Sequence, residues 1–113
     1  MHKILNRTVL LVSAKQPYID WANSFDDGGP LLSEDQVQAT AILIPDTYDE
    51  FNYENWLKKN WRKIFEQELE AWMLDADCWP KKLTYQMFKQ WFSITVTDTV
   101  IDLAGGPVKL EEF

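Results

Sequence analysis

The chain has one cysteine, Cys78, and one histidine, His2, in 113 residues. A single cysteine excludes an internal disulfide. The two residues together leave no Cys/His metal cluster and no Ser-His-Asp or Cys-His catalytic unit to build. Basic residues are also few: 11 Lys and Arg stand against 18 Asp and Glu, for a net charge of -7 and a pI near 4.5. The densest basic stretch, Lys58, Lys59, Arg62 and Lys63, is interleaved with Glu66 and Glu70 at helical spacing. That pattern suits i,i+4 ion pairs on a solvated face, not the broad basic footprint of a nucleic-acid binder. No nucleic-acid partner is expected.

Long apolar runs are missing as well. Nothing approaches the roughly 20 apolar residues that cross a bilayer, so no membrane partner is expected. The run Val9 to Val12, preceded by His2, Lys3 and Arg7 and closed by Lys15, is far shorter than a signal-peptide core. A cytoplasmic location is the expectation. Four Gly and five Pro leave little room for low complexity, and no internal repeat is visible. The length suits one domain, residues 1–113, and not two.

What is present is organised around Phe51 to Met73, FNYENWLKKNWRKIFEQELEAWM. At about 100° per residue, Tyr53, Trp56, Leu57, Trp61, Ile64, Phe65, Leu69 and Trp72 fall on one side. Lys58, Lys59, Arg62, Lys63, Glu66 and Glu70 fall on the other. No Gly or Pro interrupts the stretch, which predicts an amphipathic helix of roughly 30 Å. Three of the six tryptophans lie on its apolar stripe, where core packing is the default.

Thr8 to Ala14 is β-branched and apolar on both faces, as a buried central strand would be. Pro17 opens a short helix that carries Tyr18, Ile19, Trp21, Ala22 and Phe25. Asp26 to Pro30 is turn chemistry. It lacks the alternating acids, central Gly and distal Glu of an EF-hand, so a solvated loop is expected there. Gln38 to Ile44 reads as a second strand ended by Pro45. Thr47 and Glu50 have capping-box spacing ahead of the long helix. Pro80 breaks the chain after it, and Thr84 can cap a third helix bearing Met87, Phe88, Trp91 and Phe92. Near Phe92 the period changes to alternation. Phe92, Ile94, Val96 and Asp98 share one phase, and Ser93, Thr95, Thr97 and Thr99 the other, in a strand running to about Leu103. The β-α-β-α-α-β order predicts an α+β two-layer sandwich, a three-stranded sheet with the long helix across one face. The Ser/Thr row suits a second face open to water.

The segments Glu68-Leu69-Glu70-Ala71-Trp72, Trp79-Pro80, Phe88, Trp91-Phe92 and Asp102-Leu103 resemble a group of small uncharacterised bacterial proteins. The resemblance covers roughly the second half of the chain and some of the second strand. It implies a self-contained bacterial domain and carries no activity with it.

Two acids stand on core-facing phases. Glu68 lies one turn from both Ile64 and Trp72, and Asp98 follows Val96 on the last strand. Such a carboxylate must find a donor, sit at a wet margin or take up a proton. A pair of them is also what general acid/base chemistry would use. The alternatives are that Glu68 bonds a backbone amide, a Tyr hydroxyl or a Trp N–H, and that a bulge turns Asp98 to solvent.

Trp21 and Trp79 lie by loops, where aromatic rings stack ligands or anchor interfaces. A groove beside Trp79, Asp75 and Asp77 is therefore a candidate site, although alternating acids in a turn are weak metal ligands. No metal and no cofactor is expected. Small size, negative charge, many aromatics and missing catalytic units favour a non-enzymatic interaction protein: an adaptor, inhibitor or immunity-type partner of a basic surface. The alternative is a small-molecule-binding domain or minor enzyme with Glu68 and Asp98 in an aromatic-lined pocket. A homodimer that buries its open sheet face is a third reading.

Overall fold

The computed structural model describes residues 3–25 and 31–111. His2 and the acid-glycine stretch 26–30, expected as a solvated loop, lie outside the described residues. Among the described residues five strands and three α-helices follow one another. Strand β1 is Lys3–Ile4, β2 is Arg7–Ala14, and helix α1 is Gln16–Ala22. Strand β3 is Thr40–Pro45, and α2 is Tyr53–Trp72. Helix α3, Tyr85–Trp91, runs directly into β4, Phe92–Thr97, and β5 is Ile101–Asp102. The main sheet has the order β3-β2-β4 and is antiparallel throughout. The protein is an α+β sandwich, with β2 central as its two apolar faces require.

Alternation along the strands sorts the sheet into two faces. Leu10, Val12, Ile42, Ile44, Phe92, Ile94 and Val96 meet the helices in one cluster with Tyr18, Leu57, Ile64, Phe65, Leu69 and Phe88. The other face carries Val9, Leu11, Ala41, Leu43 and the expected row Ser93, Thr95 and Thr97. Register places Val9 between Leu43 and Thr97, and Leu11 between Ala41 and Thr95. Leu43 is 52% exposed there. Phe65 sits at the centre of the helical side, with ring centroids 5.4 Å from both Trp91 and Phe92 and 6.0 Å from Phe88.

Local chemistry departs from the sequence reading at three places. The cap of α2 is not formed by Thr47 and Glu50. The helix has Asn52 as its N-cap without a side-chain cap bond. In the turn leading to it, Asp49 Oδ1 accepts from Asn52 N and Asn52 Oδ1 accepts from Asp49 N, a reciprocal pair at the same spacing two residues later. Thr8 Oγ1 donates to the Tyr48 carbonyl at 2.6 Å, which fixes the approach to that cap. The α2 stripe is right in phase, but only Leu57, Ile64, Phe65 and Leu69 are fully buried. Trp56 and Trp61 are half-buried, and Trp72 is 39% exposed.

The last strand is the third departure. It does not run unbroken to Leu103. Strand β4 stops at Thr97, and β5 pairs with β1 as Lys3↔Asp102 and Ile4↔Ile101. Between Ile4↔Ile101 and Val9↔Thr97 the N-terminal side has four intervening residues, 5–8, and the other side three, 98–100. That one-residue excess is a bulge-type offset. Thr84, by contrast, caps α3 as its sequence suggests, accepting from Met87 N at 3.1 Å.

Candidate functional site

Asp98 falls at the break between β4 and β5, so the alternation that would have turned it inward no longer applies. It is exposed, and its Oδ1 accepts from the Thr99 hydroxyl at 3.3 Å. It lines a cleft of about 130 Å³ with Glu50, Val96 and Thr97. Glu68 lines a different one. The two carboxylates that an acid/base pair would need therefore do not share a site.

Helix α2 places Glu68 on its buried side, between Phe65 and Leu69. Its cleft, about 240 Å³, is walled by Ala14 at the end of β2, Tyr18 from α1, Ala71 and Trp72 from α2, and the 36–38 segment. Glu68 Oε1 is buried and has no hydrogen-bond partner among the described residues. The Tyr18 hydroxyl is the kind of donor the carboxylate was expected to find. It donates instead to the backbone carbonyl of Glu68, at 2.7 Å. Burial pushes the Glu68 carboxyl above its ordinary range, and a hydrogen bond from the Thr40 side chain to the carboxylate acts the other way. Burial, with the neighbouring Glu68 charge adding to it, holds the Tyr18 hydroxyl up at about 12. Among the described residues no Lys or Arg lines this cleft.

The groove anticipated beside Trp79 also exists. It measures about 410 Å³ and is lined by Arg62, Glu66, Asp77, Trp79, Lys81 and neighbours. Its polar groups are largely committed. Arg62 Nε bonds Glu66 Oε1 at 3.0 Å, and Trp79 Nε1 donates to the Met73 carbonyl at 2.7 Å. Asp75 does not line the groove; its carboxylate caps the 3-10 turn Ala76–Cys78 by accepting from Asp77 N. Among the described residues no three His, Cys, Asp or Glu lie together as metal ligands would.

Trp21 belongs to the packing. Its ring lies 5.5 Å from Tyr18 and 5.3 Å from Phe25, and its Nε1 donates to the Cys78 carbonyl. Trp72 Nε1 donates to the Ala22 carbonyl at 3.0 Å. Two indoles, Trp21 and Trp72, thus tie the end of α1 to the end of α2 and the turn after it, and Trp79 closes that turn on itself. Their N–H groups hold loops, as buried indoles usually must.

No family model, curated protein or solved structure matches the chain. The site rests on its own geometry. Of the residues named from sequence, Glu68 and Trp72 come together, as do Trp79 and Asp77, while Asp98, Asp75 and Trp21 stand apart from both sites. Tyr18, Gln36 and Gln38 were missed as cleft residues. Tyr18 carried only a core signal, and nothing in the local pattern marks the two glutamines. No helix among the described residues is long and apolar enough to cross a membrane.

Proposed function

We propose that the protein is a non-enzymatic interaction protein, of the adaptor, inhibitor or immunity type, whose partner presents a basic surface. The observation that carries this reading is the β1/β5 ribbon. Ile4 and Ile101 are directly opposed on it and are 67% and 47% exposed, with Leu103, two residues on, 74% exposed. Opposed residues on antiparallel strands share a face, so the two isoleucines form one apolar patch, not two scattered side chains. Such patches mark contact surfaces. A net charge of -7 steers the approach of a basic partner and repels a phosphate backbone. The separation of Glu68 from Asp98 removes the main support for an acid/base enzyme.

The test is affinity capture from the native cell beside light scattering on the pure protein. The expected result is a basic partner whose retention falls as salt rises and is lost in the double variant Ile4→Ser, Ile101→Ser at unchanged thermal stability. Retention that ignores both salt and the double variant would reject this reading. Capture of the protein's own copy alone, with a dimer in light scattering, would replace it by self-association.

A further inference from the structure

The Glu68 cleft has three features that belong together. Its carboxylate oxygen is buried without a partner, its walls include Trp72 and Tyr18, and it contains no cation of its own. At about 240 Å³ it is smaller than the roughly 300–1,000 Å³ of ordinary small-molecule pockets. It has room for one long side chain. We propose that this cleft receives the guanidinium or ammonium head of a single Arg or Lys side chain from the partner protein. The inference rests on the interaction reading above and adds a recognised group to it, at the far end of β2 from the β1/β5 ribbon.

The chemistry follows from what each wall offers. A carboxylate oxygen that is buried without a donor, as Glu68 Oε1 is, gains most from a charged one, because charge-assisted hydrogen bonds are roughly twice as strong as neutral ones. Ala71 is exposed and small, and leaves the entrance clear on the helix turn beside Glu68. Trp72 has its N–H engaged with Ala22, so what it contributes is ring surface, which suits an aliphatic stem or the face of a cation. Gln36 Oε1 already accepts from Ser33 N, while among the described residues no such bond engages the Gln38 amide. Gln38 is thus the neutral group available at the rim. A negative overall charge draws a cation toward the cleft, and burial then makes the carboxylate selective for it.

The experiment titrates ¹⁵N-labelled protein with three capped pentapeptides, Ala-Ala-X-Ala-Ala, with X as arginine, lysine or the neutral isostere citrulline. Butylguanidinium is titrated as a free head group. Saturable shifts are expected at Gln38, Ala71 and the Trp72 indole with the arginine and lysine peptides. Binding should be weaker by roughly tenfold or more with citrulline, the size of a lost charge-assisted bond. Glu68→Gln should lose the same preference. Ala71→Leu, which fills the entrance but keeps the carboxylate, should block binding with the fold intact. Equal binding of citrulline, indifference to both variants, or no shift at the cleft would overturn the proposal. Butylguanidinium binding at least as tight as the arginine peptide would overturn the assignment to a protein side chain. These outcomes need no native partner, so they are independent of the capture experiment that decides the interaction reading.

Discussion

Glu68 owes its properties to a backbone carbonyl that is satisfied and a carboxylate oxygen, Oε1, that is not. The Tyr18 hydroxyl serves its carbonyl, and burial raises its carboxyl above the ordinary value of 4.5. A carboxyl that ionises less readily in the folded state than in the unfolded chain makes ionisation count against folding. The favourable contribution is complete below the unfolded value and is lost as pH rises through the raised one. Glu68→Gln removes that term and leaves no charge to desolvate. Its urea midpoint at pH 7 should equal or exceed the parent's, and any advantage should shrink as the pH approaches 4.5. A variant that is instead less stable by about 1–3 kcal/mol at pH 7 would mean the carboxylate holds a structural donor. The sequence made Glu68 conspicuous because an acid broke an apolar stripe. It could not show which way the nearest hydroxyl would point, since that depends on how α1 docks.

Among the elements, α2 shows what periodicity can and cannot convey. Its phase gives the direction of every side chain, and Leu57, Ile64, Phe65 and Leu69 do face the core. Depth depends on what lies over each position. Phe65 is fully covered, with aromatic rings around it, whereas Trp72 at the last turn passes the rim and remains 39% exposed. The two should separate clearly on mutation. Phe65→Ala is expected to cost roughly 3–5 kcal/mol, the range for a large core aromatic. Trp72→Ala should cost about 1–2 kcal/mol, for its partial burial and its bond to the Ala22 carbonyl. Urea midpoints of the two variants decide the matter, and equal losses would place Trp72 in the core after all. The strands divide in the same way. Composition was enough to make β2 central and to set the core face of β4, but the offset at 98–100 left no trace in the alternation. Alternation therefore left two readings of Asp98 open, and the exposed one, with a bulge turning it to solvent, is the one found.

For the molecule as a whole, the question is whether its parts can unfold separately. One apolar cluster joins Leu10 and Val12 of β2, Ile44 of β3, Tyr18 of α1, Phe65 of α2, Phe88 of α3 and Phe92 of β4. Removing any of these elements would expose the others, which couples their stabilities. The indole bonds of Trp21 and Trp72 add cross-links between the α1 end and the segment that closes α2. The β1/β5 ribbon is the piece least tied to this cluster, yet β1 leads into the central strand and β5 follows β4. Urea unfolding is therefore expected to show one transition, with tryptophan fluorescence and far-UV circular dichroism superimposing. Tryptophans on α1, α2, α3 and the intervening turn make the fluorescence a report on the whole helical layer. Circular dichroism adds the sheet. Two separated midpoints would mean that the helical layer and the sheet fold as separate units, and the single-domain expectation would fall with them.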